Sequence, residues 1–171
     1  MPSLVGSEMC IRDSYYTTTK TFYESGYTYQ CDVRVSGFIA LYNKSNTWNN
    51  IYPVYKNTGE TFAQTDEGVE LLENDTWTRS KRFSIVNEAF STSEKQRVKG
   101  HDFDIIMYIN STTGTVDEVN FEFYKSTPYT TIPISTFRKI ETEIKKNIWY
   151  TPTAEGKELS YIYYWWAQEP K

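Results

Sequence analysis

The clearest periodic pattern of the chain covers residues 103–147, FDIIMYINSTTGTVDEVNFEFYKSTPYTTIPISTFRKIETEIKKN. In its first part, apolar side chains recur at every second position from Phe103 to Ile109, and a second alternating run covers 115–124. The turn residues STTG lie between the two runs. Alternation of this kind on both sides of a short turn predicts a β-hairpin.

A helix follows the predicted hairpin. In STFRKIETEIKKN, apolar residues recur at three- and four-residue spacing, which predicts one amphipathic helix over 134–146. Glu141 precedes Lys145 by four residues, and the basic last turn complements the helix dipole. The expected contact places Phe137, Ile140 and Ile144 on Val119, Phe121 and Phe123.

Two further strand candidates lie beyond the helix, NIWYTP at 147–152 and ELSYIYYWW at 158–166. They complete a predicted ββαββ unit over residues 103–166. The second candidate is apolar on both faces, so it should be covered on both sides or present one face as a binding surface. Tyr163 and Trp165 are the residues predicted to bind a partner there.

The N-terminal half predicts more antiparallel strands. YTYQCDVRV at 27–35 alternates cleanly, with Cys31 as a small core residue. FIALYN at 38–43 and IYPVYK at 51–56 suggest a hairpin whose second strand is confined to an edge by Pro53.

Two helical segments are also predicted in the middle of the chain. VELLE, residues 69–73, suggests a short helical turn, and SIVNEAFSTSEKQR, residues 84–97, suggests a helix with a break at the Ser/Thr cluster 91–93. The predicted fold class is α+β, with an antiparallel sheet in a single domain over residues 15–171.

The first fourteen residues are unlike the remainder. LVGSEMCIRD, residues 4–13, is similar to an in-frame translation of a sequencing-library adapter. We therefore expect residues 1–14 to be an artefact and disordered, and a signal peptide to have been lost with the true N-terminus. Without them the chain has 17 basic and 20 acidic residues and one cysteine.

Several function classes are disfavoured by composition. The charge is mildly acidic and no basic stripe is present, so no nucleic-acid partner is expected. No apolar run is long enough to suggest a membrane span. His101 is the only histidine; a catalytic triad and a zinc site are therefore not predicted. The expectation is a protein that is not an enzyme and has no cofactor or metal.

Acidic residues and tryptophans remain as candidate site residues. Glu118 and Glu122 fall on one face of the second hairpin strand, near Asp104 on the first, and we interpret them as a solvated outer face. Trp48 at a loop tip and Trp77 in a polar segment are candidate sugar-binding residues, because flat aromatic rings match the apolar faces of sugars.

The chain also shows two resemblances. The phrases YTTTKTF, GYTYQCDV, FSIVNEAFSTSEKQRVKG and KKNIWYTPTAEGK resemble a family of secreted proteins from Gram-negative gut anaerobes without an established activity. The element order of DIIMYINSTTGTVDEVNFEF, IPISTFRKIETEIKKN and IWYTPTAEGKELSYIYYWW resembles the C-terminal domain of TonB. These resemblances imply a fold and a periplasmic, secreted or cell-surface location, and no catalytic residue.

Two functions are therefore expected as alternatives. The first is a non-enzymatic protein-interaction domain that binds an envelope protein through an open sheet edge or the aromatic C-terminal strand. The second is a carbohydrate-binding module that takes a polysaccharide on exposed Trp and Tyr side chains.

Overall fold

The computed structural model describes residues 13–63 and 69–171, and in this part of the chain six strands form one antiparallel sheet. The strands are β1 Lys20–Glu24, β2 Tyr27–Val33, β3 Phe38–Asn43, β4 Phe103–Ile109, β5 Val116–Tyr124 and β6 Ile162–Gln168. The helices are α1 Trp77–Ala89, α2 Thr92–Val98, α3 Ile134–Asn147 and the single turn α4 Ala154–Lys157, with a 3₁₀ turn at Pro128–Thr131. The strand order is β1-β2-β3-β5-β4-β6, so β1 and β6 are the two edges.

The β4–β5 hairpin is confirmed, with Ile105 paired to Phe121. Its turn requires glycine at Gly114, where φ is 78°. A Cβ at that position would lie 1.7 Å from the carbonyl oxygen of Tyr150. The turn therefore allows the chain beyond α3 to run close beside the hairpin.

The predicted helix and its packing are also confirmed. The Phe137 ring of α3 lies 5.1 Å from Phe121 and 5.6 Å from Phe123, centroid to centroid. Cys31 is buried in the same core, as expected for a small apolar side chain, and burial raises the pKa of its thiol to about 11. All the helices of this core lie on one face of the sheet, here called the inner face.

The predicted hairpin of 38–43 with 51–56 is wrong. β3 pairs with β2 and β5, whereas the second segment forms only two isolated bridges, Val54 with Thr61 and Tyr55 with Leu159. Pro53 has no N–H for a ladder, and the residues before it turn away from β3 to cross the opposite, outer face.

Two other predicted elements are not formed. VELLE is extended, because Leu71 accepts a backbone hydrogen bond from Thr153 and Glu73 donates one to Thr151. NIWYTP is not a strand and makes only isolated bridges. The C-terminal unit is thus ββαβ. Residues 149–153 make bridges and hydrogen bonds to residues 71–73 and to the β4–β5 turn, and β6 is the part of the chain after α3 that joins the sheet.

The helix predicted over residues 84–97 is interrupted at the Ser/Thr cluster 91–93, as expected. Ser91 begins α2 with a capping box, in which its hydroxyl accepts from the Glu94 N–H and the Glu94 carboxylate accepts from the Ser91 N–H. The preceding helix α1 begins at Trp77, seven residues earlier than expected.

The N-terminal expectation falls largely outside the described residues, which begin at Asp13. The Ser14 hydroxyl lies 3.2 Å from that of Thr130, and Tyr16 is fully buried in the core. Within the described residues, Ser14 therefore already contacts the domain, one residue before the predicted boundary.

Candidate functional site

A row of four aromatic side chains crosses the outer face of the sheet. Ring centroids lie 4.7 Å apart between Trp48 and Tyr161, 5.4 Å between Tyr161 and Tyr108, and 6.0 Å between Tyr108 and Tyr163. Ile106 is buried with them in a second, smaller apolar cluster. β4 places Ile106 and Tyr108, and β6 places Tyr163, because alternate residues point away from α3. Tyr161 directly precedes β6, and Trp48 lies in the segment after β3.

Glu118 holds the segment that carries Trp48 onto this face. Its carboxylate accepts hydrogen bonds from the Thr47 N–H at 2.6 Å, the Thr47 hydroxyl at 2.8 Å and the Trp48 N–H at 3.0 Å. Glu118 is only 7% exposed, so the prediction of a solvated outer face is wrong at this residue. The carboxylate is a structural acceptor, since it satisfies backbone donors of residues 47 and 48.

A cavity of about 600 Å³ lies between the outer face and residues 44–63, which cross it and are here called the crossing segment. We call it the outer-face cavity. Its walls include Asn49, Tyr52, Tyr108, Glu122 and Tyr163. This volume is in the range of ligand pockets, and aromatic rings with a few polar groups are typical linings.

Two acids lie next to each other at one end of the outer face. Asp104 on β4 pairs with Glu122 on β5, and both are half-buried. Burial raises the pKa of both carboxyl groups above the ordinary value, and the Asp102 charge adds to the rise in the pKa of Asp104. For Glu122, the Arg34 guanidinium 3.5 Å away opposes the rise in pKa, and the Asp104 charge adds to it. These groups can accept hydrogen bonds from hydroxyls of a ligand.

The tyrosine hydroxyls of the row keep their protons at neutral pH, so they can donate as well as accept hydrogen bonds. Burial raises the pKa of Tyr108 and Tyr163, and that of Tyr161 to about 12. The Tyr161 hydroxyl donates to the carbonyl of Ile51, while the Tyr108 hydroxyl accepts from Asn120 at 3.1 Å. The row is therefore both apolar and able to form hydrogen bonds.

The edge strand β6 presents a second candidate surface, which we define by Tyr163, Trp165 and Ala167 and call the β6 edge surface. Trp166 on the inner face is buried, whereas Trp165 is 57% exposed and Tyr163 half-buried. The core covers the inner face of β6. On the outer face Tyr163 packs against Tyr108, and the open part of the strand is at Trp165 and Ala167.

The two predicted sugar-binding tryptophans lie on different layers. Trp48 is half-buried in the outer row, whereas Trp77 begins α1 and packs 4.6 Å from Trp149. Sequence reasoning missed Tyr52, Tyr108 and Tyr161 as lining residues. Tyr161 shares the alternation of Tyr163 and Trp165, which could have indicated it; the other two depend on a long-range fold of the chain.

Other kinds of site find no support in the part of the chain that is described. Within residues 13–63 and 69–171, no helix combines the length and apolarity that crossing a bilayer requires. The same residues hold no group of three or more metal-ligating side chains. His101 lies exposed in a turn, and its backbone carbonyl accepts from the Tyr129 hydroxyl.

An antiparallel sheet with helices on one face and an aromatic cavity on the other defines an α+β protein. The chain belongs to the family described as domain of unknown function DUF5043, whose model matches residues 12–166. It is similar to a DUF5043 family protein from Bacteroides uniformis, with 36% identity over 92% of this chain and 95% of that chain and a TM-score of 0.87 to its crystal structure. A search of curated proteins finds no match.

Proposed function

We propose that the chain is a non-enzymatic interaction domain, periplasmic or at the cell surface, that binds an extended polypeptide segment of an envelope protein by strand addition at β6. We also propose that the β4–β5–α3–β6 unit is similar in fold to the TonB C-terminal domain. The location rests on the sequence resemblance, and cell fractionation of the source organism tests it separately.

The contrast between the two sheet edges carries the proposal. Natural edge strands are commonly protected by charged residues or proline. The β1 edge, KTFYE, has Lys20 and Glu24, whereas the β6 edge, IYYWWAQ, has neither a charge nor a proline. Among the residues that the structure describes, β6 pairs with β4 alone. Its other side therefore offers main-chain groups for affinity, and the exposed tryptophan offers an aromatic anchor for specificity.

The test uses peptides selected from a random display library against the whole chain. Trp165→Lys should weaken their binding by about 30-fold or more, because an exposed aromatic anchor is lost and an edge charge opposes pairing. Trp149→Lys is the matched control, since Trp149 is also exposed, at 55%, and lies outside β6. It should bind as the wild type does.

Backbone pairing has its own signature in the same assay. N-methylation of the selected peptide should abolish binding at alternate residues only, because alternate N–H groups of an added strand point to the sheet. Equal binding by Trp165→Lys and wild type, or equal effects of N-methylation at every position, would refute strand addition.

The outer-face cavity favours a second candidate function, the binding of a polysaccharide. Tyr52 is 77% exposed at the cavity wall, and Asn49, Asn50 and Glu122 line the same space. A flat ring beside amide and carboxylate groups matches the apolar faces and hydroxyls of a sugar.

A glycan array with intrinsic fluorescence as a second readout tests this function. Tyr52→Ala should weaken binding of a retained glycan about tenfold, through loss of ring contact. Tyr23→Ala is the control, since Tyr23 is equally exposed at 79% and lies on β1, distant from the cavity in the sheet order. Absence of any bound glycan, or equal effects of the two variants, would eliminate the saccharide function.

A further inference from the structure

A second cavity of about 600 Å³ lies on the inner side of β6, between that strand, α1 and the segment that precedes α1. We call it the α-layer cavity. Its lining includes Leu71, Arg82, Tyr150, Ile162 and Tyr164. Apolar side chains and tyrosine rings line one part of the cavity, and polar side chains, Arg79 and Arg82 among them, line the other.

Arg82 is the unusual residue of this cavity. It is only 4% exposed, and its guanidinium carbon lies 4.8 Å from the ring centre of Tyr164 and 4.5 Å from that of Trp166. These two rings fix the plane of the guanidinium. Nη2 donates to the Tyr164 hydroxyl at 3.2 Å, which uses one of the five N–H donors of an arginine.

The remaining donors have no protein partner among the described residues. Three buried side-chain atoms there lack a hydrogen bond, Arg82 Nε, Arg82 Nη1 and Tyr150 Oη, and all belong to residues that line the α-layer cavity. Buried polar groups are nearly always hydrogen-bonded, so three unsatisfied atoms in one cavity indicate a binding site. The two Arg82 nitrogens can only donate, so the group that satisfies them must be a hydrogen-bond acceptor.

The charge of Arg82 is also uncompensated in this part of the chain. The ion pairs of the described residues involve Arg34, Arg138 and Lys145 and do not include Arg82. A buried charge without a counter-ion is costly. The missing acceptor should therefore be an anion.

The cavity margin restricts the charge of that anion. Glu70 and Glu73 are exposed and Asp75 is half-buried among the lining residues. Arg79, which is also exposed, lines the same cavity. The three carboxylates outnumber it, and because like charges repel, they disfavour a dianion such as phosphate more than a single negative charge.

We propose that the α-layer cavity binds a monoanionic carboxylate that carries a small apolar group. Arg82 pairs with the carboxylate, and the Tyr150 hydroxyl donates to it. The apolar group contacts Leu71, Ile162 and the Tyr164 ring. Such a carboxylate is found in free organic acids and at the C-terminus of a polypeptide. Tyr163 of the β6 edge surface also lines this cavity. The proposal does not depend on strand addition, because the carboxylate is bound by Arg82 and Tyr150, which lie outside β6.

The test measures binding of N-acetyl-leucine by calorimetry and by the rise in Tm of the full chain. N-acetyl-leucinamide has the same shape without the charge and should not bind, and inorganic phosphate should bind at least tenfold more weakly. A change in tryptophan fluorescence should report the ligand, because the indole of Trp166 contacts Arg82. Saturable binding of the amide equal to that of the acid, or no binding of the acid, would overturn the proposal.

Variants separate a binding role from a structural one. Tyr150→Phe removes a hydroxyl that has no protein partner, so the free protein should melt unchanged while N-acetyl-leucine binds about tenfold more weakly. Arg82→Met should remove binding, whereas Lys81→Met, a neighbouring exposed lysine on α1, should bind as the wild type does. If Tyr150→Phe and Arg82→Met each bound N-acetyl-leucine with wild-type affinity, the unpaired donors would face only a solvated cavity, and the proposal would be wrong.

The two sources of the carboxylate are distinguished with the peptide Gly-Gly-Leu. Binding at least as tight as that of N-acetyl-leucine, lost on C-terminal amidation, assigns the site to a polypeptide terminus. Exclusion of the peptide while N-acetyl-leucine binds assigns it to a free organic acid.

Discussion

A chain carrying Phe121→Asp is expected to remain unfolded at 25 °C. Phe121 is 0% exposed, and its ring lies 5.1 Å from Phe137 of α3 and 6.3 Å from Phe103 of β4. Loss of a buried aromatic side chain costs about 3–5 kcal/mol. A buried, unpaired carboxylate adds several kcal/mol more, and a whole domain is stable by only about 5–15 kcal/mol. Far-UV circular dichroism and a thermal melt measure the outcome.

Tyr124→Asp is the matched control on the same strand. Tyr124 is 55% exposed, so the new carboxylate remains in water and a cooperative melt should persist. The comparison isolates burial from the loss of an aromatic strand residue. If Phe121→Asp melted cooperatively near the wild-type temperature, the packing of α3 on β5 would be wrong.

The part of the fold that local periodicity encodes could be predicted. Residues 103–147 carry a period of two and then a period close to 3.6, and each apolar residue of both patterns faces one core. The hairpin and α3 therefore follow from the sequence without knowledge of their partners. The capping box at Ser91 is local in the same sense, because its two hydrogen bonds join residues three apart.

The beginning of α1 could not be recognised in this way. Its buried residues Thr78, Arg82, Ile85 and Val86 have helical spacing, but the first two are polar. The apolar signal therefore starts only at Ile85, in the second half of the helix. The α-layer cavity could not be recognised for the same reason. Its buried Arg82 lies in a charged segment, and an arginine in such a segment is typical of a solvated surface.

The outer-face cavity is hidden from the sequence for a different reason. It exists because residues 44–63 cross the sheet, and the hydrogen bonds that hold them join Thr47 and Trp48 to Glu118, about 70 residues away. Alternation places Glu118 opposite the core and contains no information on what covers it. A run such as IYPVYK is apolar enough for a strand, so only the tertiary contacts decide between pairing and crossing.

Glu118→Ala is accordingly expected to destabilise the fold by about 2–4 kcal/mol, because the variant loses three hydrogen bonds to a buried carboxylate. For a chain of this length that corresponds to a fall of roughly 5–15 °C in Tm. The effect should be strongest in the crossing segment. Trypsin should cut faster after Lys44, and amide hydrogens of residues 47 and 48 should exchange faster, since their acceptor is gone.

Glu122→Ala tests whether this loss is specific to the buried acceptor. Glu122 lies on the same face of the same strand, four residues further on, but its side chain is 24% exposed and its ion pair with Arg34 is 3.5 Å long. Surface pairs of this kind contribute less than about 1 kcal/mol. We expect a melt close to the wild type and unchanged cleavage after Lys44. Equal losses of stability in the two variants would mean that Glu118 does not hold the crossing segment, and the outer-face cavity would then need another cause.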